Sequence, residues 1–272
     1  MDLREIMTTP KYAVDRSKKL PRKNSAALAS DDAIAISEYF SRYLKPHIAN
    51  SETIKHQVYK LRHQVYCEEL HYEEINTSQL ELDEFDVRAI HCVVQHLSSN
   101  TLAGTLRLIP TNSCDELLPL EKFCAHAITH PELSPNNFLR HQICEISRLA
   151  VPAVFRKRQS DQFAGSATGV INEFTFSTEE LRYFPYIAIS LYLSAIAICR
   201  KARCFHVFVM MEPRLARSLD FVGIHFAQLG PVIDYHGKRA AYYVDARELR
   251  KDLSVGYKKF LQVIEDKLFG VN

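Results

Sequence analysis

The chain has no tryptophan and only eight glycines in 272 residues. Neither the dinucleotide fingerprint nor the Walker loop occurs, so nucleotide phosphates have no glycine-rich cradle here. The seven cysteines, Cys67, Cys92, Cys114, Cys124, Cys144, Cys199 and Cys204, form no C-x-x-C pair. An odd, dispersed set excludes a disulfide framework and reads as reduced thiols in a cytoplasmic protein. The histidines complete no metal-ligand motif, so no metal centre is expected. A net charge of +2 is too small for the field of a nucleic-acid binder.

A long apolar run is also missing. The best candidate for a membrane span, Tyr183 to Cys199, has seventeen residues, includes Pro185, and is flanked by Arg182 and Arg200. A span needs about 20 apolar residues, so this stretch reads as a buried helix. Residues 1–24 carry seven basic and three acidic side chains and no apolar core. They exclude a secretory signal. Residues 1–32 read as a flexible basic arm, capable at most of weak, salt-sensitive contact with an anionic membrane. Residues 33–272 read as a single domain.

What remains is rich in pattern. Ser30-Asp31-Asp32 suits a helix start, and Ile34, Ile36, Tyr39, Phe40 and Tyr43 extend that helix to about Leu44, before Pro46. Ile54, Val58, Leu61 and Val65 recur every three to four residues and predict a helix over 51–70. Residues 71–80 are irregular. Strands are expected at 88–97, 101–109 and 143–151, the first two joined by Ser98-Ser99-Asn100. A short helix is expected near 119–126. The buried helix over 183–202 precedes a continuous apolar strand, Phe205 to Met211. A helix at 213–221, strands near 225–234 and 240–245, and a helical tail at 247–268 complete the chain. The fold class is α/β in the α+β sense, a largely antiparallel mixed sheet flanked by helices.

Chemistry concentrates at Glu81-Leu82-Asp83-Glu84-Phe85-Asp86, four carboxylates in six residues. Unpaired carboxylates repel and resist burial, so this cluster needs cations or solvent. Arg107 and Arg148 stand within apolar strand sequences, and an antiparallel sheet brings one or both to the acids. Strict alternation puts Glu145 and Ser147 on one face and Arg148 on the other. Solvated turns and structural ion pairs give such patterns too. A Cys–His acyl-enzyme around Cys67 or Cys144 is a further alternative.

Arg62 and Tyr66, then Glu81-x-Asp83-x-x-Asp86, Gly104-x-x-Arg107, Phe123 and Glu145-x-x-Arg148 resemble, in that order, the charged motif set of acyl-homoserine-lactone synthases. The stretches 61–70, 211–217 and 223–237 are similar to long-chain N-acyl amino acid synthases. Their likeness is greatest to acyltransferases associated with PEP-CTERM/exosortase systems. The resemblance covers about residues 38–250 and implies the GNAT-type acyltransferase fold. The lactone synthases usually carry Phe at the position of Tyr66 and Trp near Tyr72, aromatics that shape their S-adenosylmethionine site.

The resemblance implies transfer of a long-chain acyl group from an acyl carrier protein thioester, or acyl-CoA, to an amino acid amine, with no tightly bound cofactor. Glu81 or Glu145 is the implied base. Arg62, Tyr66, Asp83, Asp86, Arg107, Phe123 and Arg148 are the implied substrate-binding set. An oxyanion donor is expected on a splayed strand near 108–111. Phe155-Arg156-Lys157-Arg158-Gln159-Ser160 lacks the glycines of a coenzyme A pyrophosphate loop. Arg156, Lys157 and Arg158 are therefore expected to dock the acidic carrier. A lactone synthase using S-adenosylmethionine and a non-catalytic lipid-binding module are the alternatives.

Overall fold

The computed structural model describes residues 37–38, 40–156 and 186–270. The expected basic arm, Lys157 and Arg158 lie outside the described residues. Residues 40–43 are helical, and the helix ends at residue 43, close to the expected Leu44. Leu44–Ile48 is the first strand, β1. It pairs antiparallel with Ile90–His96 (β2) and lies at the end of the sheet path. An edge strand tolerates proline, because one of its sides needs no backbone donor. Pro46 therefore marks an edge rather than a helix stop.

β2 turns at residues 97–100 into Thr101–Pro110 (β3), which pairs antiparallel with Ile143–Ala150 (β4). β4 pairs parallel with His206–Met211 (β5), and β5 antiparallel with Lys238–Asp245 (β8). Two short strands, Ala227–Gln228 (β6) and Ile233–Asp234 (β7), also bond to β8. The order is β1-β2-β3-β4-β5-β8-β6. One parallel pair among antiparallel neighbours matches the expected mixed sheet.

The first helix, α1, spans Glu52–His63 and is capped by Ser51, whose hydroxyl accepts the Ile54 N–H. The helical path continues as a π-helical turn over Gln64–Glu69 rather than as uniform α-helix. Such wide turns often sit at functional sites. Pro119–Phe123 forms α2 and Ala153–Arg156 forms α3. The apolar run is Tyr186–Lys201 (α4), with eleven of its residues buried. No helix among the described residues is long and apolar enough to cross a membrane. Pro213–Phe221 (α5) follows β5, and Leu249–Asp252 (α6) precedes Val255–Phe269 (α7).

α4 and α7 supply Ile187, Leu191, Phe260 and Ile264 to the main core, against Leu106, Leu108 and Ile146 of the sheet. Gly104 sets how closely α4 approaches: an added Cβ would stand 3.0 Å from both Ile187 and Leu191. With α4 on one face, Glu145 and Ser147 are left for the other.

Candidate active site

The acid stretch is not extended throughout. Asp83 caps a short 3₁₀ helix, Glu84–Arg88, and accepts the Phe85 N–H, while Asp86 accepts the Asp83 N–H. This capping box turns Glu81, Asp83 and Asp86 inward. Arg62, at the end of α1, is fully buried and meets two of them. Its Nε donates to Glu81 Oε2 at 2.5 Å, and its two terminal nitrogens bind Asp86 at 2.7 and 3.1 Å. Arg107 on β3 binds Asp83 at 2.6 Å and Asp86 at 3.1 Å, and donates from Nε to Ser147 Oγ. Arg148 on β4 donates to Glu81 at 3.0 Å and to Asp83 at 3.3 Å. Three guanidinium groups and three carboxylates thus close on one another.

Arg148 reaches this lattice by breaking the expected alternation. Between the Arg107–Ser147 and Thr105–Ala150 pairs, β4 takes three steps against two on β3. This is a β-bulge, and Arg148 sits in it with φ at 51°. A non-glycine residue in the left-handed region is strained. The kink turns Arg148 toward the side that Ser147 faces, where the acids repay the strain. Tyr66 holds the next residue, its hydroxyl donating to the Leu149 carbonyl at 2.7 Å.

The electrostatics divide the acids. Burial alone would raise Asp86, but the hydrogen bonds and charge of Arg62, then Arg107, hold it at about 2. Glu81 is likewise lowered, Arg62 and Arg148 outweighing its burial. His91, 3.6 Å from Asp86, is pushed down to about 4 by burial. Glu145 behaves in the opposite way. It is 3% exposed, accepts the Leu120 N–H at the start of α2 at 2.8 Å, and no arginine among the described residues binds it directly. Burial pushes its carboxyl up to about 8, against the pull of that N–H and of the more distant Arg107 and Arg148. Glu145 thus exchanges its proton near neutrality, whereas Arg62 and Arg148 keep Glu81 ionised.

Glu145 opens on a small chamber of about 40 Å³, walled by Tyr66, Tyr72, Tyr235, His236 and Arg239 among others. Tyr66, Tyr72, Arg148, Met210 and Arg239 also border a second cavity of about 700 Å³. This larger cavity begins where pairing of β4 with β5 ends, at Ile146 and Val209. Its walls include Val65, Leu70, Leu149, Val151, Phe155 and Tyr192. Ala188 and Tyr192 are the contribution of α4. The exposed residues Arg156 and Arg214 stand at its rim.

The splayed strand is therefore β4, not β3. Residues 108–110 of β3 are in register with β4, and the Thr111 N–H donates to the Ile143 carbonyl. The oxyanion donor expected near 108–111 has no free strand there. Phe123 is 49% exposed, packs edge-on against Phe85, and borders neither cavity. Arg156 binds Glu69. His236 borders the chamber, whereas His225 pairs with Asp220 outside it. Cys67 and Cys144 are buried; burial raises the Cys67 thiol, and contact with Cys199, then burial, raises that of Cys144. Neither is a ready thiolate. Arg239, Tyr235 and Glu73 escaped sequence reasoning. For Arg239 the available signal was a cation in a strand that opens apolar, Lys238-Arg239-Ala240-Ala241.

Residues 61–165 match the acetyltransferase (GNAT) domain family, an enzyme class that transfers acyl groups. No curated protein matches the chain by sequence. Several solved structures share the fold. TofI, solved in a ternary complex with an inhibitor and MTA, superposes with a TM-score of 0.57 at 12% identity, over 82% of this chain and 99% of its own. BjaI, a CoA-dependent acyl-homoserine lactone synthase solved with SAM and isopentyl-CoA, gives 0.55 at 19% identity, over 80% and 89%. FeeM, an N-acyl amino acid synthase from uncultured soil microbes, gives 0.49 at 12% identity, over 79% of this chain and 97% of its own. The fold is that of the GNAT acyltransferases, and the matched stretch carries the acid loop, the bulge and Glu145.

Proposed function

We propose that the protein moves a long-chain fatty acyl group from an acyl carrier protein thioester to the amine of an amino acid. The observation that carries this reading is Glu145. A buried carboxyl raised to about 8 opens on a polar chamber that shares a wall with a large, mostly apolar cavity between splayed strands. The cavity suits the acyl chain and the chamber suits the amine.

The reaction joins at their common wall. The neutral amine attacks the thioester carbonyl, forming the C–N bond. Glu145 accepts the amine proton, and a general base is most effective with a pKa near the working pH. The carbonyl oxygen takes up negative charge and is met by a main-chain N–H on β4 beyond Ile146. Collapse of the intermediate breaks the C–S bond, and the proton leaves with the thiol. Arg62, Arg107 and Arg148 do not hold substrate in this scheme. They fix Glu81, Asp83 and Asp86, and so hold the bulge in place.

Arg156 and Arg214 at the rim, with no glycine loop after Phe155, support a carrier-protein donor over coenzyme A. The resemblance to N-acyl amino acid synthases and exosortase-associated acyltransferases supports a long chain and an amino acid acceptor. A second reading, a lactone synthase using S-adenosylmethionine, draws on the fold shared with BjaI.

Mass spectrometry of lipid extracts from cells expressing the chain tests the proposal, with Glu145→Gln beside it. A long-chain N-acyl amino acid present only with the unaltered chain is the expected result. An acyl-homoserine lactone instead would establish the second reading. No new acylated amine with purified protein, acyl-carrier thioesters, the twenty amino acids and S-adenosylmethionine would overturn both.

A further inference from the structure

The β7–β8 hairpin places one cation where the lattice cannot neutralise it. Arg239 pairs with Ile233 across the hairpin and borders both cavities. Its guanidinium stacks over the Tyr72 ring at 5.5 Å. Its Nε is buried without a hydrogen-bond partner, and it meets no carboxylate among the described residues. Every other guanidinium at the chamber wall is satisfied, since Arg148 already holds Glu81 and Asp83. A buried donor left unmade is costly, and a charged one more so. Such a group keeps hydrogen-bonding capacity that an anion could use.

We propose that Arg239 binds the carboxylate of the acceptor, making the acceptor an α-amino acid rather than a simple amine. This rests on the acyl-transfer reading above. Three observations support a carboxylate at this place. The planar fork, with Nε free, matches a carboxylate edge in bidentate fashion. Stacking on Tyr72 fixes the plane of the fork. Glu73 and Glu145 border the same chamber, Glu73 offering the opposite sign to the amine end and Glu145 a place for its proton. An α-amino acid carries its amine and its carboxylate on one carbon, and the chamber presents a complement to each. Tyr72, Tyr235 and His236 close around it with rings rather than further charges.

The hairpin is built to keep Arg239 there. His236 and Gly237 both have positive φ, and the Tyr235 N–H closes the turn on the Gly237 carbonyl. Gly237 faces Tyr72, its Cβ position 3.8 Å from the phenol oxygen. The aromatic platform and the cation are thus held by one turn.

Two measurements test the proposal independently. The first compares acceptors that differ only by the carboxylate: leucine with isopentylamine, and tyrosine with tyramine. Arg239→Gln should raise KM for the amino acids about tenfold or more, as loss of a charged hydrogen-bonded contact does. It should leave KM for the acyl thioester unchanged and nearly abolish the preference for acid over amine. Arg239→Lys should recover part of the preference. A rise in thioester KM alone would assign Arg239 to the donor's phosphate and overturn the proposal. The second measurement needs no turnover: calorimetric binding of N-dodecanoyl-leucine and of its carboxamide. The unaltered protein should favour the acid, and Arg239→Gln, checked for an unchanged melting curve, should not. Equal binding of acid and amide by the unaltered protein would sink the carboxylate assignment even if acyl transfer is observed. Absence of acyl transfer would sink the parent reading and leave the binding result to decide Arg239.

Discussion

Two groups of buried charges share one face of the sheet, and they are built on opposite plans. In the lattice of Arg62, Arg107 and Arg148 with Glu81, Asp83 and Asp86, every group has a partner of opposite sign. Around the chamber, among the described residues, Glu145 has a backbone N–H and Arg239 an aromatic face, and neither has an ion-pair partner. Charges that satisfy one another are scaffolding. Charges held apart from one another are kept for a third party, and their unmet demand is available to a ligand. Charge density alone would choose the lattice as the active centre, whereas the proposed function places the chemistry at the chamber.

Breaking the lattice should have the largest effect on folding. Arg62→Ala leaves Glu81 and Asp86 buried with part of their partners gone, and removal of one member of such a pair costs about 3–5 kcal/mol. Chemical denaturation should show a midpoint shift of that size. A shift below about 1 kcal/mol, typical of exposed pairs, would mean that water satisfies the acids and the lattice is not closed.

Glu145→Gln should do the reverse. The substitution keeps shape and removes a costly buried charge, so the melting temperature should hold or rise. The turnover number should fall about 10²–10⁴-fold, the usual contribution of a general base. Glu81→Gln sharpens the contrast: it should lower stability yet retain most of the turnover per folded molecule. The opposite outcome, activity kept by Glu145→Gln and lost by Glu81→Gln at full folding, would return the base to Glu81.

The two regions should also titrate with opposite signs. Asp86 is held at about 2 against an ordinary 3.8, so its contribution to stability is full above 3.8 and is lost as pH falls toward 2. Glu145 is raised to about 8 from an ordinary 4.5, so its contribution is full below 4.5 and fades as pH rises toward 8. Denaturation midpoints of Asp86→Asn and Glu145→Gln, each subtracted from the unaltered protein across pH, should slope in opposite directions. The rate should rise about tenfold per pH unit on the acid side of 8, as the base deprotonates, and then level. A profile flat from 6 to 9 would remove Glu145 from the chemistry.

Much of the fold was legible because periodicity reports burial directly. The strands at Ile90–His96, Thr101–Pro110 and Ile143–Ala150 fall where alternation and turn residues placed them. The strand around Pro46 was not legible, since local sequence does not say which strand is an edge. The need of the 81–86 acids for cations was readable from charge alone, and the antiparallel sheet brought both Arg107 and Arg148 to them. The face of Arg148 was misread because alternation assumes an unbroken ladder, and no glycine advertises the bulge. Choosing between Glu81 and Glu145 requires knowing which one the arginines reach. That is a property of register, as is the solitude of Arg239.

The smallest effect tests how the two regions are joined. Tyr66 lies between them: its ring is under the Arg148 guanidinium at 5.7 Å, and its hydroxyl holds the Leu149 carbonyl just past the bulge. Tyr66→Phe keeps the ring and deletes one hydrogen bond, a change of about 1 kcal/mol. If the bond only stabilises, the melt should drop slightly and turnover should not move. If it also sets the course of β4 where the strand parts from β5, KM for the acyl thioester should rise with turnover for bound substrate nearly unchanged. The second pattern is expected, because Leu149 borders the large cavity and its carbonyl would be left to turn toward it. A fall in turnover equal to that of Glu145→Gln would instead place the phenol in the proton path, and the division between scaffold and chemistry would have to be redrawn at Tyr66.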